Sequence, residues 1–241
     1  MSRRRRSALL TQLVIEQPGS PQQAILDELR RVILDGAAPP GTPIPLGEVA
    51  ELFGVSPIPV RESLKTLIGE GLVDHKPNSG YAVAQLTSAE LREIYIVRES
   101  LETAALSAAL PLATADDDAA AREANHELEQ AIRFDDPVAY HRHSREFHLA
   151  LTAPSRMFRL LHMLESAWNM TEPVQPMVHS TGHDRSLLHR DHVKMLDAFL
   201  ARDLPRLLSA AEVHHQRLNS VIAKLPTDTG LLAQEDISSR K

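Results

Sequence analysis

Few folds accommodate residues 54–73, which read Gly54-Val55-Ser56-Pro57-Ile58-Pro59-Val60-Arg61-Glu62-Ser63-Leu64-Lys65-Thr66-Leu67-Ile68-Gly69-Glu70-Gly71-Leu72-Val73. Ser56 is a good N-cap, and Pro57 fits the first helical position, where a missing N–H costs nothing. From there Val60, Leu64, Leu67 and Ile68 fall on one helical face, leaving Ile58, Arg61, Glu62, Lys65 and Thr66 to look outward. One face can anchor to a core while the other reads a partner. Just upstream, residues 46–53 form a second short amphipathic pattern, joined through the Gly54-Val55-Ser56 turn. Two helices across a tight glycine-containing turn make a helix-turn-helix, whose second helix is shaped for the DNA major groove. Downstream, residues 72–83 hold two short β-prone runs around Lys76-Pro77-Asn78-Ser79-Gly80, a hairpin signature. Helix-turn-helix plus hairpin predicts a winged DNA-binding domain.

Pro39-Pro40-Gly41, the Phe53-Gly54-Val55-Ser56 turn, Val60-Arg61-Glu62-Ser63-Leu64, Glu70-Gly71-Leu72-Val73 and Gly80-Tyr81 together resemble the N-terminal domain of GntR-family bacterial transcription regulators. The resemblance runs over about residues 20–86. It implies a double-stranded DNA operator as partner, with Arg61 as the main base or phosphate reader and Ser56, Ile58, Lys65 and Thr66 near it. At the wing, His75, Lys76, Asn78, Ser79 and Gly80 are expected to touch backbone or minor groove. Two positions depart from the family pattern: Pro57 stands where the family usually has Arg, and Gly47 where a second DNA-contacting Arg is often found.

Charge must be local for such a domain to hold DNA. Residues 1–86 carry nine Lys/Arg and nine Asp/Glu, so the −6 net charge of the 241-residue chain belongs to the remainder. The candidates for a positive patch are Arg3, Arg4, Arg5, Arg6, Arg30, Arg31, Arg61, Lys65 and Lys76. The arginine run reads equally as a solubilising end or as a phosphate contact. Followed by apolar residues, it mimics a signal peptide, but Thr11, Gln12 and Glu16 interrupt the apolar stretch and no small-residue cleavage site follows. Nothing later reaches transmembrane length, so a soluble, cytoplasmic protein without a membrane partner is expected. The absence of cysteine excludes disulfides and thiolate metal sites.

Four segments are expected: a flexible basic tail over 1–18, the winged domain over 19–86, an all-helical domain over 87–226 and a second flexible tail over 227–241. In the winged domain the first helix should span 21–35, with Ile25, Leu29, Val32 and Ile33 on one stripe and Gly36 as its stop. Eight of the ten glycines precede residue 81, so the rest lacks the punctuation of strands and hairpins. About six helices are read there, at 88–110, 115–134, 137–152, 155–170, 183–202 and 204–225, packed as an antiparallel bundle. The chain is therefore expected to be mainly α.

Candidate chemistry in the bundle comes from histidine, since eleven of the twelve His follow residue 86. His148, His192 and His214 fall on the apolar stripes of three different helices. Each could be a hydrogen-bonded core residue; gathered together without carboxylates, they would suit Zn²⁺, Ni²⁺ or a similar cation. The Phe147-His148 step, Asp191-His192 followed by Leu196-Asp197-Ala198 and Arg202-Asp203, and His214 at its distance resemble the effector domain of the FadR-like (FCD) subgroup. That resemblance implies a divalent metal on the three histidines, with Ser144 standing where metal-binding members have an Asp. Arg98 lies on the stripe Leu91, Ile94, Leu101, Ala105, Ala108, and a buried Arg needs an anion. Glu102 is its structural partner; the functional alternative is a clamp for an effector carboxylate, and the subgroup resemblance supports such an Arg facing the cavity, with Ser144 beside it.

These expectations combine into a ligand-responsive regulator, not an enzyme, with repression relieved by a small carboxylate as the default that the resemblance implies. A homodimer would place two recognition helices on a roughly palindromic operator. Two rivals are a metal-dependent bundle enzyme and a constitutive architectural DNA-binding dimer. A di-iron version of the first, suggested by Glu123-x-x-His126 and Glu212-x-x-His215, is opposed by helical phase, which turns all four side chains toward solvent.

Overall fold

A computed structural model describes residues 7–14, 20–77, 79–225 and 230–231. The chain divides into two compact units. The first comprises residues 1–87, 169–174 and 230–241, and the second residues 88–168 and 175–229. Among the described residues no helix is long and apolar enough to cross a membrane.

In the first unit α1 (Pro21–Leu34) starts at Ser20, whose side chain accepts from the Gln23 N–H, and buries Ile25, Leu29, Val32 and Ile33. After β1 (Pro43–Ile44), α2 (Leu46–Phe53) stops at Gly54, which sits at φ +65°. Gly54 N–H bonds to the Glu51 carbonyl and Val55 N–H to that of Ala50, the paired bonds of a Schellman stop. The tight reversal delivers α3 (Pro57–Gly69), which buries Val60, Ser63, Leu64 and Leu67. Ser63 donates its hydroxyl to the Gln22 carbonyl (2.9 Å) and so ties α3 to the start of α1. Ile68, expected on the anchored face, is 38% exposed, because the buried arc is centred one residue back, on Ser63 and Leu67. β2 (Val73–Lys76) and β3 (Gly80–Val83) form the wing, and the antiparallel sheet order is β1-β3-β2.

Ser56 holds the N-cap position of α3 with extended backbone, yet its side chain makes no capping bond. A capping oxygen looks for the N–H of the second or third helical residue; the third is Pro59, which has none, so only that of Ile58 is on offer.

The loose tail expected over residues 1–18 is corrected for the part described. Ala8–Thr11 forms a 3-10 turn, with Leu9 fully buried in the same core as Ile25, Val49 and Leu64. Ser7 Oγ donates to the Pro43 carbonyl, and Arg31 donates to that of Gln12 (3.1 Å). Within the expected second tail, Leu231 is buried and the Gly230 carbonyl accepts from Gln85 Nε2 at 3.3 Å. Of these two segments, residues 1–6, 15–18, 227–229 and 232–241 lie outside the described ones.

The second unit is helical throughout: α4 (Ser88–Ala109), α5 (Ala115–Arg133), α6 (Pro137–Thr152), α7 (Phe158–Thr171, whose last residues cluster with the first unit), α8 (Gly182–Leu200) and α9 (Leu204–Ile222). Polar caps set the starts. Thr114 and Asp117 make a reciprocal capping box on α5, Asp136 accepts from the Val138 and Ala139 N–H groups on α6, and Asp203 accepts from Arg206 N–H on α9. α5 packs on α6 and α8, α8 on α9, and α4 on α6 and α9. Three helices, α6, α8 and α9, thereby turn faces toward one interior.

Candidate functional site

His148 from α6, His192 from α8 and His214 from α9 meet in that interior. Ring centroids lie 5.0 Å apart for His148 and His192, 4.9 Å for His148 and His214, and 4.5 Å for His192 and His214. One nitrogen from each ring lies within 4.8 Å of the other two, and no ring is more than 2% exposed. Neither nitrogen of His192 or of His214 has a hydrogen-bond partner. A buried polar atom left unsatisfied costs about 1–3 kcal/mol, so four of them together are not an ordinary packed core. Burial first, and then the neighbouring imidazoles, hold His192 and His214 well below the ordinary histidine range, which leaves both rings neutral. Neutral, converging, unpartnered imidazoles are the donor set a borderline divalent cation requires.

His148 differs from the other two. Its Nδ1 meets Glu102 Oε1 at 2.5 Å, so the nitrogen left for a cation is Nε2. Glu102, 1% exposed on α4, also meets His215 Nε2 through its second oxygen at 3.3 Å. Burial works to raise the Glu102 carboxyl, but the His148 and His215 rings overcome it and hold the group well below the usual carboxylate range. The outward placement expected of His215 is corrected: the side chain is 6% exposed. α9 packs on both α8 and α4, so its buried arc is wider than the single stripe Leu207, Ala211, His214, Leu218. Glu123, His126 and Glu212 are exposed, as helical phase predicts.

Arg98 is 3% exposed, and its guanidinium carbon lies 3.2 Å from the Trp168 ring centroid and 4.4 Å from that of Tyr95. It shares with Ser144, Trp168 and the three histidines the lining of a cavity of about 10 Å³, roughly the space of one water molecule. Ser144 stands one turn before His148 on α6.

In the first unit, Ser56, Ile58, Arg61, Lys65 and Thr66 are all exposed on or beside α3. Ile58 is 66% exposed, too open for a packing role. His75, Lys76, Ser79 and Gly80 are exposed at the hairpin end, with the His75 ring against Tyr81 at 4.6 Å; Asn78 lies outside the described residues. The positive patch is smaller than its candidate residues suggest. Arg30 makes a two-pronged pair with Glu70 (3.0 and 2.7 Å) and a bond to Asp27, and Arg31 makes one with Glu28 (2.8 Å twice) and a bond to Asp35. Lys65 pairs with Glu62 at 2.9 Å. Arg30 and Arg31, expected to contribute, are thus neutralised internally, leaving Arg61 and Lys76 as the cations without an ion-pair partner among the described residues of this face. Arg3 to Arg6 lie outside them.

Two family models match the chain. The one described as "Bacterial regulatory proteins, gntR family" covers residues 21–83, and the "FCD domain" model covers residues 93–217, just over half of the chain. This chain belongs to the GntR family, in its FCD-bearing branch. Among its relatives, the HTH-type transcriptional regulator McbR of Escherichia coli (strain K12) is 28% identical over 73% of this chain and 78% of that protein. The HTH-type transcriptional repressor RspR of the same strain is 26% identical over 89% of this chain and 93% of its own length. The solved structure titled "E. coli McbR/YncC" shares the fold, with a TM-score of 0.75 at 24% identity, over 86% of this chain and 99% of that one. Family membership makes this a DNA-binding transcription regulator with a helical effector domain, and sets the enzyme reading aside. The GntR winged domain is α1 to β3, and the FCD helices α4 to α9 carry the histidine site.

Proposed function

We propose that this GntR/FCD protein is a metal-dependent repressor. In this reading a homodimer grips a roughly palindromic operator in the cytoplasm through Ser56, Ile58, Arg61, Lys65 and Thr66, with the wing from His75 to Gly80 on the backbone. His148, His192 and His214 hold a divalent cation, Zn²⁺ or Ni²⁺, and a small carboxylate effector engages Arg98 and Ser144 beside it. The observation that carries the reading is the set of four buried ring nitrogens on His192 and His214 that no protein group satisfies. The repressor sign is supported by the relative RspR, which is named as a transcriptional repressor.

The chain's own residues set up the response. Glu102 fixes the His148 ring so that Nε2 faces the cavity, while burial keeps His192 and His214 deprotonated and ready to coordinate. A bound cation would supply a positive centre for a carboxylate oxygen, and the Arg98 guanidinium a donor pair for the other. Whatever free energy the effector gains in one DNA-binding state over the other emerges, by linkage, as the change in operator affinity.

The cavity of about 10 Å³ favours a second reading, in which the cation is the sole guest and stiffens a dimerisation module. One experiment separates the two. Duplex oligonucleotides selected for binding to the metal-loaded chain are titrated with a panel of hydroxy acids and keto acids. The repressor reading expects an acid that lowers operator affinity in the loaded chain and has no such effect when His192 and His214 are both replaced by Ala. Loss of metal by chelation with no response to any acid would favour the second reading, and stoichiometric metal persisting in the double variant would overturn the ligand assignment.

A further inference from the structure

The three-histidine site has a charge problem that its inner residues do not solve. His148, His192 and His214 are the only residues among those described that gather into a possible cation site, and an imidazole brings no negative charge to a cation. A divalent cation placed there would be buried among three rings of at most 2% exposure, in a cavity too small for a hydration shell. Buried charge is tolerated only where a counter-charge stands close by. Asp191, 1% exposed beside His192, is occupied by Arg217 at 2.6 Å and Lys194 at 3.8 Å. Glu102 alone among the described carboxylates touches a ring of the trio, and the rings that hold it, His148 and His215, come from two different helices.

We propose that Glu102 is the positioning residue and the counter-charge of this centre, acting from behind His148 in place of a carboxylate bound directly to the cation. This rests on the metal reading above and deepens it. Glu102 accepts from His148 Nδ1, which fixes the tautomer with Nε2 as the donor and keeps the ring turned toward His192 and His214. His215, next in sequence to His214, holds the other Glu102 oxygen, so the carboxylate also joins α4 to α9 directly under the site. With its anion behind the histidines, the site needs no acid on the cavity wall, and none of the described residues lining that cavity is a carboxylate. Ser144 thereby leaves open a coordination position that an aspartate in its place would fill.

The test uses the full chain, with Zn²⁺ uptake measured by competition against a chelator of known affinity. E102Q preserves the shape of the side chain and removes its charge. Its Zn²⁺ affinity should fall about 10- to 100-fold with stoichiometry unchanged. S144D, which puts a carboxylate one turn before His148 on the cavity wall, should restore most of that affinity in the E102Q/S144D double variant. A purely structural role for Glu102 would show no such rescue, because an aspartate across the cavity cannot repair packing between α4, α6 and α9. Should E102Q fail to fold, E102D keeps the charge but withdraws it by one methylene. It should show a smaller decrease, again recovered by S144D. Wild-type affinity in either variant, or a decrease that S144D leaves untouched, would overturn the proposal. A wild-type chain that takes up no Zn²⁺ would overturn the site reading and this inference together, whereas tight wild-type binding with an unaffected E102Q would overturn only the inference.

Discussion

At the scale of single residues, the same few atoms explain both the site and its sensitivity to pH. His192 and His214 are held neutral by burial and then by neighbouring imidazoles, so in the metal-free chain an acidified solution protonates the unfolded state first. Because the folded pKa is lowered, the unfolded chain binds more protons below the ordinary histidine value of 6.5, and stability falls as pH drops through that point. Two such rings imply a slope approaching about 2.7 kcal/mol per pH unit, readable from denaturant melts of chelated protein, and replacing either ring with a neutral side chain should roughly halve it. A flat profile below that ordinary value would mean that the rings are hydrated or paired. On the DNA side, Arg61 is exposed on α3 with no ion-pair partner among the described residues. Arg61→Ala should weaken operator binding by about 1–3 kcal/mol in fluorescence anisotropy while leaving the melting of the helical unit unchanged. Unaltered affinity would move the reading face elsewhere.

At the scale of elements, helix starts are legible in the sequence because each has a local chemical cause. Ser20 before Pro21, Asp136 before Pro137 and Asp203 before Pro205 put a capping oxygen and a proline where a helix begins, and the helices begin there. The histidine trio is legible for the same kind of reason, since each ring lies on the apolar stripe of its own helix. What periodicity cannot supply is the width of a buried arc, which depends on how many neighbours a helix has. From phase alone His215 points outward and Glu102 falls to Arg98, although the packing of α9 against both α4 and α8 gives those two side chains to each other. Ser56 shows a local rule weakened by another a few residues on, where Pro59 removes one of the two N–H groups its cap could use. The N-terminal segment escapes a pattern-based reading because Leu9 belongs to no repeat that would signal burial. Leu9→Ala should cost about 2–5 kcal/mol in the unfolding of the winged unit, measured as a lowered denaturant midpoint, and a change within about 0.5 kcal/mol would show that the 3-10 turn is not part of its core.

At the scale of the whole molecule, a regulator with a formally neutral winged domain spends Arg30, Arg31 and Lys65 on its own acids and keeps few charges for DNA. If Arg3 to Arg6 supply the missing phosphate contacts, replacing them with Ala should flatten the dependence of operator affinity on salt, by roughly 0.9 in the log–log slope for each phosphate no longer neutralised. An unchanged slope would leave Arg61 and Lys76 as the electrostatic footprint. The proposed effector would make the opposite demand on the helical unit, whose histidine cavity measures only about 10 Å³. Arg98 lies on Trp168, so on the proposed reading an acid that engages its guanidinium would have to wait for that stack to part, and the response would be limited by the rearrangement and not by collision. In stopped-flow traces the observed rate of response should rise with effector concentration and then level off at a ceiling that Trp168→Ala raises. The sensor would consequently ignore brief pulses of its signal and register only those that outlast the parting of one guanidinium from one indole.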